Sequence, residues 1–539
     1  MVDQTQNETT GRDVLAAWRQ QDAEMRYTNI EAIFLEEIGA VLDLDPDFID
    51  PEDTMPGLGL DSLKLVGLAS KLQERFGLAI PANVLPITAP LSEISALMAE
   101  ALGAEDPIGL LRRKHSERIA SVIHQDIYLL EGTAVRESRV KPAEAAEPSR
   151  VFLTGATGFI GAYLVRELIS RTKATIHCLV RAEDTEAGYR RLEDNLTRFD
   201  LPSTGLRERV VIEAGDLASA QFGLSDARYA ELCEAVDIVY HNGASVHLTQ
   251  TYEEMRGPNV DGTRTILHLA GHQRAKPVVV ISTVGLLDTR ELSEKPVITE
   301  TDSPTDPGLL PNGYTQTKWA GEKMVDLAQE AGVQAVNLRV GHVIGHGVSQ
   351  DLAGRLAQAC LRALAAPDLQ KPVDYVPPEY VAAAIVEVPR RLLNLTGIYH
   401  LTNPNPVTPD ELKAMVPFSP APVEVLAMDK WLARIRVDAA TDPTHPMFSA
   451  LDALGDPDRP TEVSFVEQVL SRPQVACERT VKALAGTGVT CPPASHVFAN
   501  VLIGMPELSE AFSDIDAIRA MIDQLLPNTA AAPAMSLSK

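Results

Sequence analysis

Apolar positions along this chain change rhythm once, near residue 150. Before it, Ile30, Ile33, Phe34, Ile38, Val41 and Leu42 fall three and four apart, the spacing of one helix face. A second face starts near Ser62 with Leu63, Val66, Ala69, Leu72 and Phe76, and Gly77 supplies a stop. Residues 43–59 between them are a loop rich in Asp and Pro. Pro81–Leu85 predicts a short third helix and Leu91–Leu102 a fourth, which together make a small bundle.

From Arg150 the apolar runs become short and continuous: Val151–Leu153, Ile176–Val180, Val210–Ile212, Ile238–Tyr240, Val278–Ile281 and Ala335–Leu338. Helical stretches separate them, the first being Ala162–Arg171. Alternating strand and helix predicts a parallel sheet covered on both faces. After Gly345 the pattern is mostly helical with Pro-rich joints, which predicts a smaller subdomain on the substrate side. Between the two halves, Leu110–Leu130 reads as a helix capping the second half. Lys141–Pro148, of Pro, Ala and Glu, reads as linker.

Composition narrows the class. The 539 residues exceed one ordinary core, so two or three domains are expected. No run of 18 apolar residues occurs, which predicts no membrane span. The first ten residues lack the basic and apolar regions of a signal peptide. The five cysteines are scattered, odd in number and without metal-ligand spacing, so a reduced cytoplasmic protein with no metal site is expected. A net charge of −26 argues against nucleic acid. Residues 1–103 hold 18 Asp or Glu against 6 Lys or Arg. That surplus is either a solvated acidic face or a small acidic domain that meets basic patches on partner enzymes.

Two motifs carry the chemistry. Leu58-Gly59-Leu60-Asp61-Ser62-Leu63 places a serine at a helix start, where free backbone N–H groups and the helix dipole tolerate a phosphate. Such a serine is ordinarily only a cap. Here a four-helix pattern surrounds it, and residues 28–103 resemble the acyl and peptidyl carrier proteins. The resemblance implies that Ser62 carries 4′-phosphopantetheine and, on its thiol, an acyl group. The second motif, Gly155-Ala156-Thr157-Gly158-Phe159-Ile160-Gly161, has the spacing G-x-x-G-x-x-G after a strand and before a helix, as a pyrophosphate site requires. Its cofactor-binding candidates are Gly155, Thr157, Gly158, Phe159, Ile160 and Gly161. The spacing resembles the extended short-chain dehydrogenase/reductase family. Arg181 ends the second strand where an acidic residue would select NAD, so the 2′-phosphate of NADP is expected there. Arg191, with Arg190 beside it, would add a second guanidinium. By the same resemblance Asp216 and Leu217 border the adenine, and Asn242 begins a loop along the cofactor.

Tyr314-Thr315-Gln316-Thr317-Lys318 sets a tyrosine and a lysine four apart on one helix face. The ammonium would favour the tyrosinate and bind the nicotinamide ribose, so that Tyr314 donates a proton at neutral pH. Thr283, or failing it Ser282, would hydrogen-bond the reacting carbonyl oxygen. Arg339-Val340-Gly341-His342 and Asp374–Val381 read as structural, the latter as a segment rejoining the main sheet. His241, His247 and His342 read as ordinary polar residues.

Residues from about 115 onward resemble the thioester reductase domains that end nonribosomal peptide and polyketide assembly lines and carboxylic acid reductases. The resemblance weakens after about residue 410. The expected fold class is α+β and multidomain. It comprises a flexible lead-in (1–28), a four-helix carrier bundle (29–103), a linker and capping segment (104–148) and a reductase domain (149–539). That last domain is a Rossmann-type doubly wound sheet, about 149–350 plus 373–402, with a mostly helical C-terminal substrate subdomain. The implied activity is NADPH-dependent reduction of a phosphopantetheine-bound acyl or peptidyl thioester to an aldehyde, or further to an alcohol. A phosphopantetheinyl transferase would prime the carrier. With no adenylation domain ahead of it, a separate loading or upstream assembly-line enzyme is expected to fill it. Non-redox release or cyclisation, a sugar epimerase or dehydratase, and a carrier-presenting scaffold are the competing readings. Tyr314 argues against the first, the fused carrier against the second, and the intact glycine loop with Tyr314 and Lys318 against the last.

Overall fold

The structure, a computed structural model, describes residues 13–503 except 61, 79, 81–83, 134–139, 249, 346–351, 393, 416–421 and 456–463. The chain divides into two compact units, Met1–Val122 and Ile123–Lys539.

The first unit is helical. Ala23–Leu42, Ser62–Phe76 and Leu91–Gly103 bury Ile30, Phe34, Ile38, Leu68, Leu72, Phe76, Ile94 and Met98 against one another. The expected lead-in is not loose from residue 13 on. Residues 13–20 are helical. Trp18 is buried, with its ring edge-on to Phe76 at 5.8 Å. Asp22 caps the next helix by accepting the Met25 amide at 2.9 Å. The polar composition of 1–28 concealed one aromatic anchor and one cap. Of the expected helix Pro81–Leu85, residues 81–83 lie outside the described residues, and Val84 and Leu85 form a turn and a bend rather than a helix.

The second unit is built on seven parallel strands: β1 (Arg150–Thr154), β2 (Thr175–Val180), β3 (Val210–Ala214), β4 (Ile238–His241), β5 (Val278–Thr283), β6 (Ala335–Val340) and β7 (Ile398–Leu401). Their order is 7-6-5-4-1-2-3. Because β1 pairs with both β2 and β4, the strand order reverses there, the switch point at which a parallel sheet leaves a crevice at its carboxyl edge. The strands are nearly all buried, which explains their continuous apolar runs.

The segment around Asp374 does not rejoin this sheet. Among the described residues Tyr375–Val376 pairs only with His342–Val343, and the seventh strand is Ile398–Leu401. The short Val-Pro-Pro run cannot extend a ladder, because proline lacks the amide donor. Nor is 141–148 a spacer. Pro142–Ala146 is helical, Val140 N–H donates to Ala275 O at 2.8 Å, and Arg390 donates to Ala146 O at 2.8 Å. A Pro/Ala/Glu stretch serves equally as a short helix with proline in its first turn. Beyond residue 344 a second core gathers Trp431, Leu356, Ile435, Met447, Val466 and Val497, largely from helices.

Candidate active site

The glycine loop sits between β1 and the Phe159–Arg171 helix, which begins at Gly158 with no side-chain cap. Gly155 has φ +74, a left-handed conformation that favours glycine. A Cβ there would lie 2.6 Å from Gly243 N, and one on Gly161 would lie 2.0 Å from Gly155 O. A Cβ on Gly158 would meet only Gly155 O, at 3.4 Å. The loop is therefore packed tightly at its back and open at Gly158. Asn242 Nδ2 donates to Gly155 O at 3.1 Å and Asn195 Nδ2 to Gly158 O at 3.0 Å, fixing the loop from both sides. Open backbone amides at an uncapped helix start fit a pyrophosphate. Thr157, Phe159 and Ile160 are half-buried along it.

Arg191, on the Thr185–Arg198 helix, donates to the Arg181 carbonyl and so draws the two residues together at the end of β2. Both are exposed, which fits an added phosphate on the ribose. After β3, Asp216 accepts the Ala218 amide at 2.9 Å, and Leu217 packs under Gly262.

At the carboxyl end of β5 two adjacent hydroxyls part company. Ser282 Oγ donates to Glu322 at 2.5 Å. Glu322 also takes a two-pronged contact from Arg339, at 2.9 and 2.7 Å, and Arg339 is fully buried. Burial opposes charge on Glu322, but Arg339 and Ser282 outweigh it and hold the carboxyl below its usual range. Thr283 Oγ1 instead accepts the Gly285 amide at 3.0 Å and caps the turn Val284–Leu287. Its own proton remains available to a ligand. Ser282 is committed to the core, so the geometry favours Thr283.

Tyr314 and Lys318 lie on the Gly313–Glu330 helix, whose start is fixed by reciprocal bonds between Asn312 and Thr315. Lys318 Nζ donates to Ile281 O at 2.8 Å on β5 and lies 6.0 Å from the Tyr314 ring centroid. Burial lowers its pKa to about 8, against the pull of Glu322. The expected bias of Tyr314 toward tyrosinate is absent. Burial alone pushes the phenol up to about 12. Tyr314 thus keeps its proton at neutral pH.

Behind this set runs a polar spine invisible in the sequence. Thr154 Oγ1 meets His241 Nδ1 at 2.8 Å, and His241 Nε2 meets Thr263 Oγ1 at 3.0 Å. Thr263 donates to Asn259 O at 2.6 Å. Asn259 Nδ2 reaches Thr317 Oγ1 at 3.0 Å, and Thr317 donates to Tyr314 O at 2.8 Å. Burial, with Lys318 nearby, pushes His241 down to about 3, so it is neutral. Asn259 faces inward from a π-turn, Gly257–Asp261. Its one sequence signal was Gly257-Pro258 inside a helical stretch, a local conflict of the kind functional sites carry.

Ser62 is the first residue of the 15-residue helix Ser62–Phe76. Its side chain and Asp61 lie outside the described residues. Among the described residues no group of three or more His, Cys, Asp or Glu could hold a metal, and no helix is long and apolar enough to cross a membrane.

Residues 32–90 match the family described as Phosphopantetheine attachment site, and residues 153–385 the NAD-binding family described as Male sterility protein. The terminal R domain of the myxalamid PKS-NRPS biosynthetic pathway is similar at 33% identity and a TM-score of 0.63, covering 72% of this chain and 97% of that domain. A thiolation-reductase di-domain from an archaeal non-ribosomal peptide synthetase shares the fold at 19% identity and a TM-score of 0.58, over 90% of this chain and 98% of that one. A linear gramicidin synthase polypeptide of Brevibacillus parabrevis is 30% identical over 491 residues, which is 88% of this chain but only 9% of that protein's length. The chain belongs to this family, in which a phosphopantetheine carrier domain precedes an NAD(P)-binding reductase domain of the kind found as the R domain of nonribosomal peptide synthetases.

Proposed function

We propose that the chain reductively releases an acyl or peptidyl thioester held on its own carrier domain (29–103), using NADPH in its reductase domain (149–539) and giving an aldehyde. The reading is carried by one arrangement: the Thr283 hydroxyl and the Tyr314/Lys318 helix stand at the carboxyl edge of a sheet whose glycine cradle opens on the same edge. The carrier supplies the substrate such a site needs. A phosphopantetheinyl transferase installs the arm on Ser62, and an upstream loading activity charges it.

When bound, NADPH supplies hydride to the thioester carbonyl carbon. The loop from Gly155 to Gly161 holds the pyrophosphate, and Arg181 and Arg191 take the 2′-phosphate. Asp216 and Leu217 border the adenine, and Asn242 keeps the loop in place. The Thr283 and Tyr314 hydroxyls donate to the carbonyl oxygen as it gains charge. Tyr314 then surrenders its proton, and Lys318 offsets the phenolate left behind. The carrier sulfur departs as the thiol.

Intact-protein mass tests the carrier half. Treatment with a transferase and coenzyme A is expected to add one phosphopantetheine to the chain and none to Ser62→Ala. A gain that survives Ser62→Ala moves the attachment elsewhere.

A further inference from the structure

The segment after residue 410, where the sequence offered no motif, builds a buried polar cluster at the back of the catalytic edge. Arg472 follows the Phe465–Leu470 helix and is 6% exposed. One terminal nitrogen donates to Val284 O and to Asp288 Oδ1, both at 3.2 Å. The other approaches the His342 ring at 3.1 and 3.0 Å and Asp374 Oδ1 at 3.4 Å. Asp288 and Arg472 side chains are 1% and 4% exposed, so the pair is sealed from water.

Val284 and Asp288 bracket a single turn. The turn Val284–Leu287 is capped by Thr283, and Asp288 closes it by donating its amide to Gly285 O at 3.3 Å. One guanidinium therefore clamps both ends of the turn that aims Thr283. Its planar fork fixes direction as well as distance, which an ammonium cannot do. The residues that follow lock the clamp in place. Gln474–Val475 pairs with Val297–Ile298, Ala476 N–H donates to Ile298 O at 2.8 Å, and Val475 packs with Val284, Leu287 and Leu292.

We infer that Arg472 is a positioning residue for hydride transfer: through the Val284–Leu287 turn it holds the Thr283 hydroxyl in line with the reacting carbonyl oxygen. This rests on the role proposed for Thr283. Thr283 spends one lone pair on the Gly285 amide, so a rotation of the turn moves the hydroxyl that is left to donate. A misplacement of about 1 Å can cost on the order of a hundredfold in rate.

A double-mutant cycle on the full chain tests it, reading single-turnover NADPH oxidation with a saturating pantetheine thioester. Arg472→Met is expected to slow the step about tenfold or more while NADPH affinity stays within about twofold. It is also expected to expose a larger kinetic isotope effect with NADPH deuterated at C4. A mere loss of folded enzyme would not move that effect. In a Thr283→Ala background, Arg472→Met is expected to change the rate less than about twofold. Asp288→Asn, an isostere at the other side of the contact, is expected to show the same non-additivity and serves where Arg472→Met does not fold. Equal fold losses in both backgrounds, or an unchanged rate, overturn the inference and leave the proposed function standing. An inactive wild-type chain, or a Thr283→Ala variant at full rate, overturns the Thr283 reading and this inference with it.

Discussion

Ser282 donates its hydroxyl to Glu322 at 2.5 Å, inside an ion pair with the fully buried Arg339. On a strand, neighbouring side chains point to opposite faces. The contact that draws Ser282 into the core is what leaves Thr283 facing the other way. Two residues that look interchangeable in the sequence thus have separate partners.

Thr283→Ala is expected to lower kcat by about a hundredfold, the loss typical of one oxyanion donor, with little change in thermal stability. Ser282→Ala is expected to do the reverse, costing about 1–2 kcal/mol of stability through the Glu322 contact. Steady-state NADPH oxidation and thermal melts of both variants decide it; a rate collapse in Ser282→Ala alone would exchange their roles.

Removing the hydroxyl proposed as the proton donor is expected to be more severe. Tyr314→Phe keeps the ring in its buried seat but deletes the hydroxyl, and kcat is expected to fall by roughly 10²–10⁴. NADPH affinity, measured by fluorescence titration, is expected to hold within about twofold. Turnover at the wild-type rate would remove Tyr314 from the mechanism.

The two outer glycines and the middle one should behave differently. Gly161→Ala drives a methyl into Gly155 O, so a loss of folded protein is expected. Gly158→Ala makes only an ordinary 3.4 Å contact with Gly155 O and is expected to melt as wild type while binding NADPH at least about tenfold more weakly, since the methyl would stand where the phosphates are proposed to approach. Equal affinity for NADPH in Gly158→Ala would displace the pyrophosphate from this loop.

Two pH effects follow from burial. His241 titrates near 3 in the folded chain against about 6.5 unfolded. Below pH 6.5 the unfolded state therefore takes up the proton and the folded state does not. Stability contributed by neutral His241 is complete above pH 6.5 and is lost as pH falls toward 3, by on the order of 4 kcal/mol. His241→Asn is expected to flatten the melting-temperature profile over that window. At the other end, Lys318 has a pKa of about 8, so kcat is expected to decline above that pH as its charge is lost. A rate that stays level to pH 10 would contradict the role given to the ammonium.

Much of this was legible in the sequence because it depended on local signals. Six of the seven strands of the sheet announced themselves as buried apolar runs, and the glycine loop by spacing. The Tyr314/Lys318 helix did so by a four-residue interval. What was missed depends on contacts between distant residues. Ile398–Leu401 is a four-residue strand with a polar His400 at its centre, which only its pairing with β6 explains. The His241–Thr263–Asn259 spine joins residues from three elements. Trp18 lay in a polar stretch where one aromatic is no pattern. Arg472 is one arginine among many until the fold sets it against Asp288.

The most direct measurement loads the holo chain with an acyl group on Ser62, adds NADPH, and counts both the dinucleotide oxidised and the product freed. The account predicts one NADPH consumed for each aldehyde released, or two where an alcohol forms, with the carrier thiol regenerated in step. Release of the acyl group with no NADPH consumed, or a thioester that persists in its presence, would contradict it.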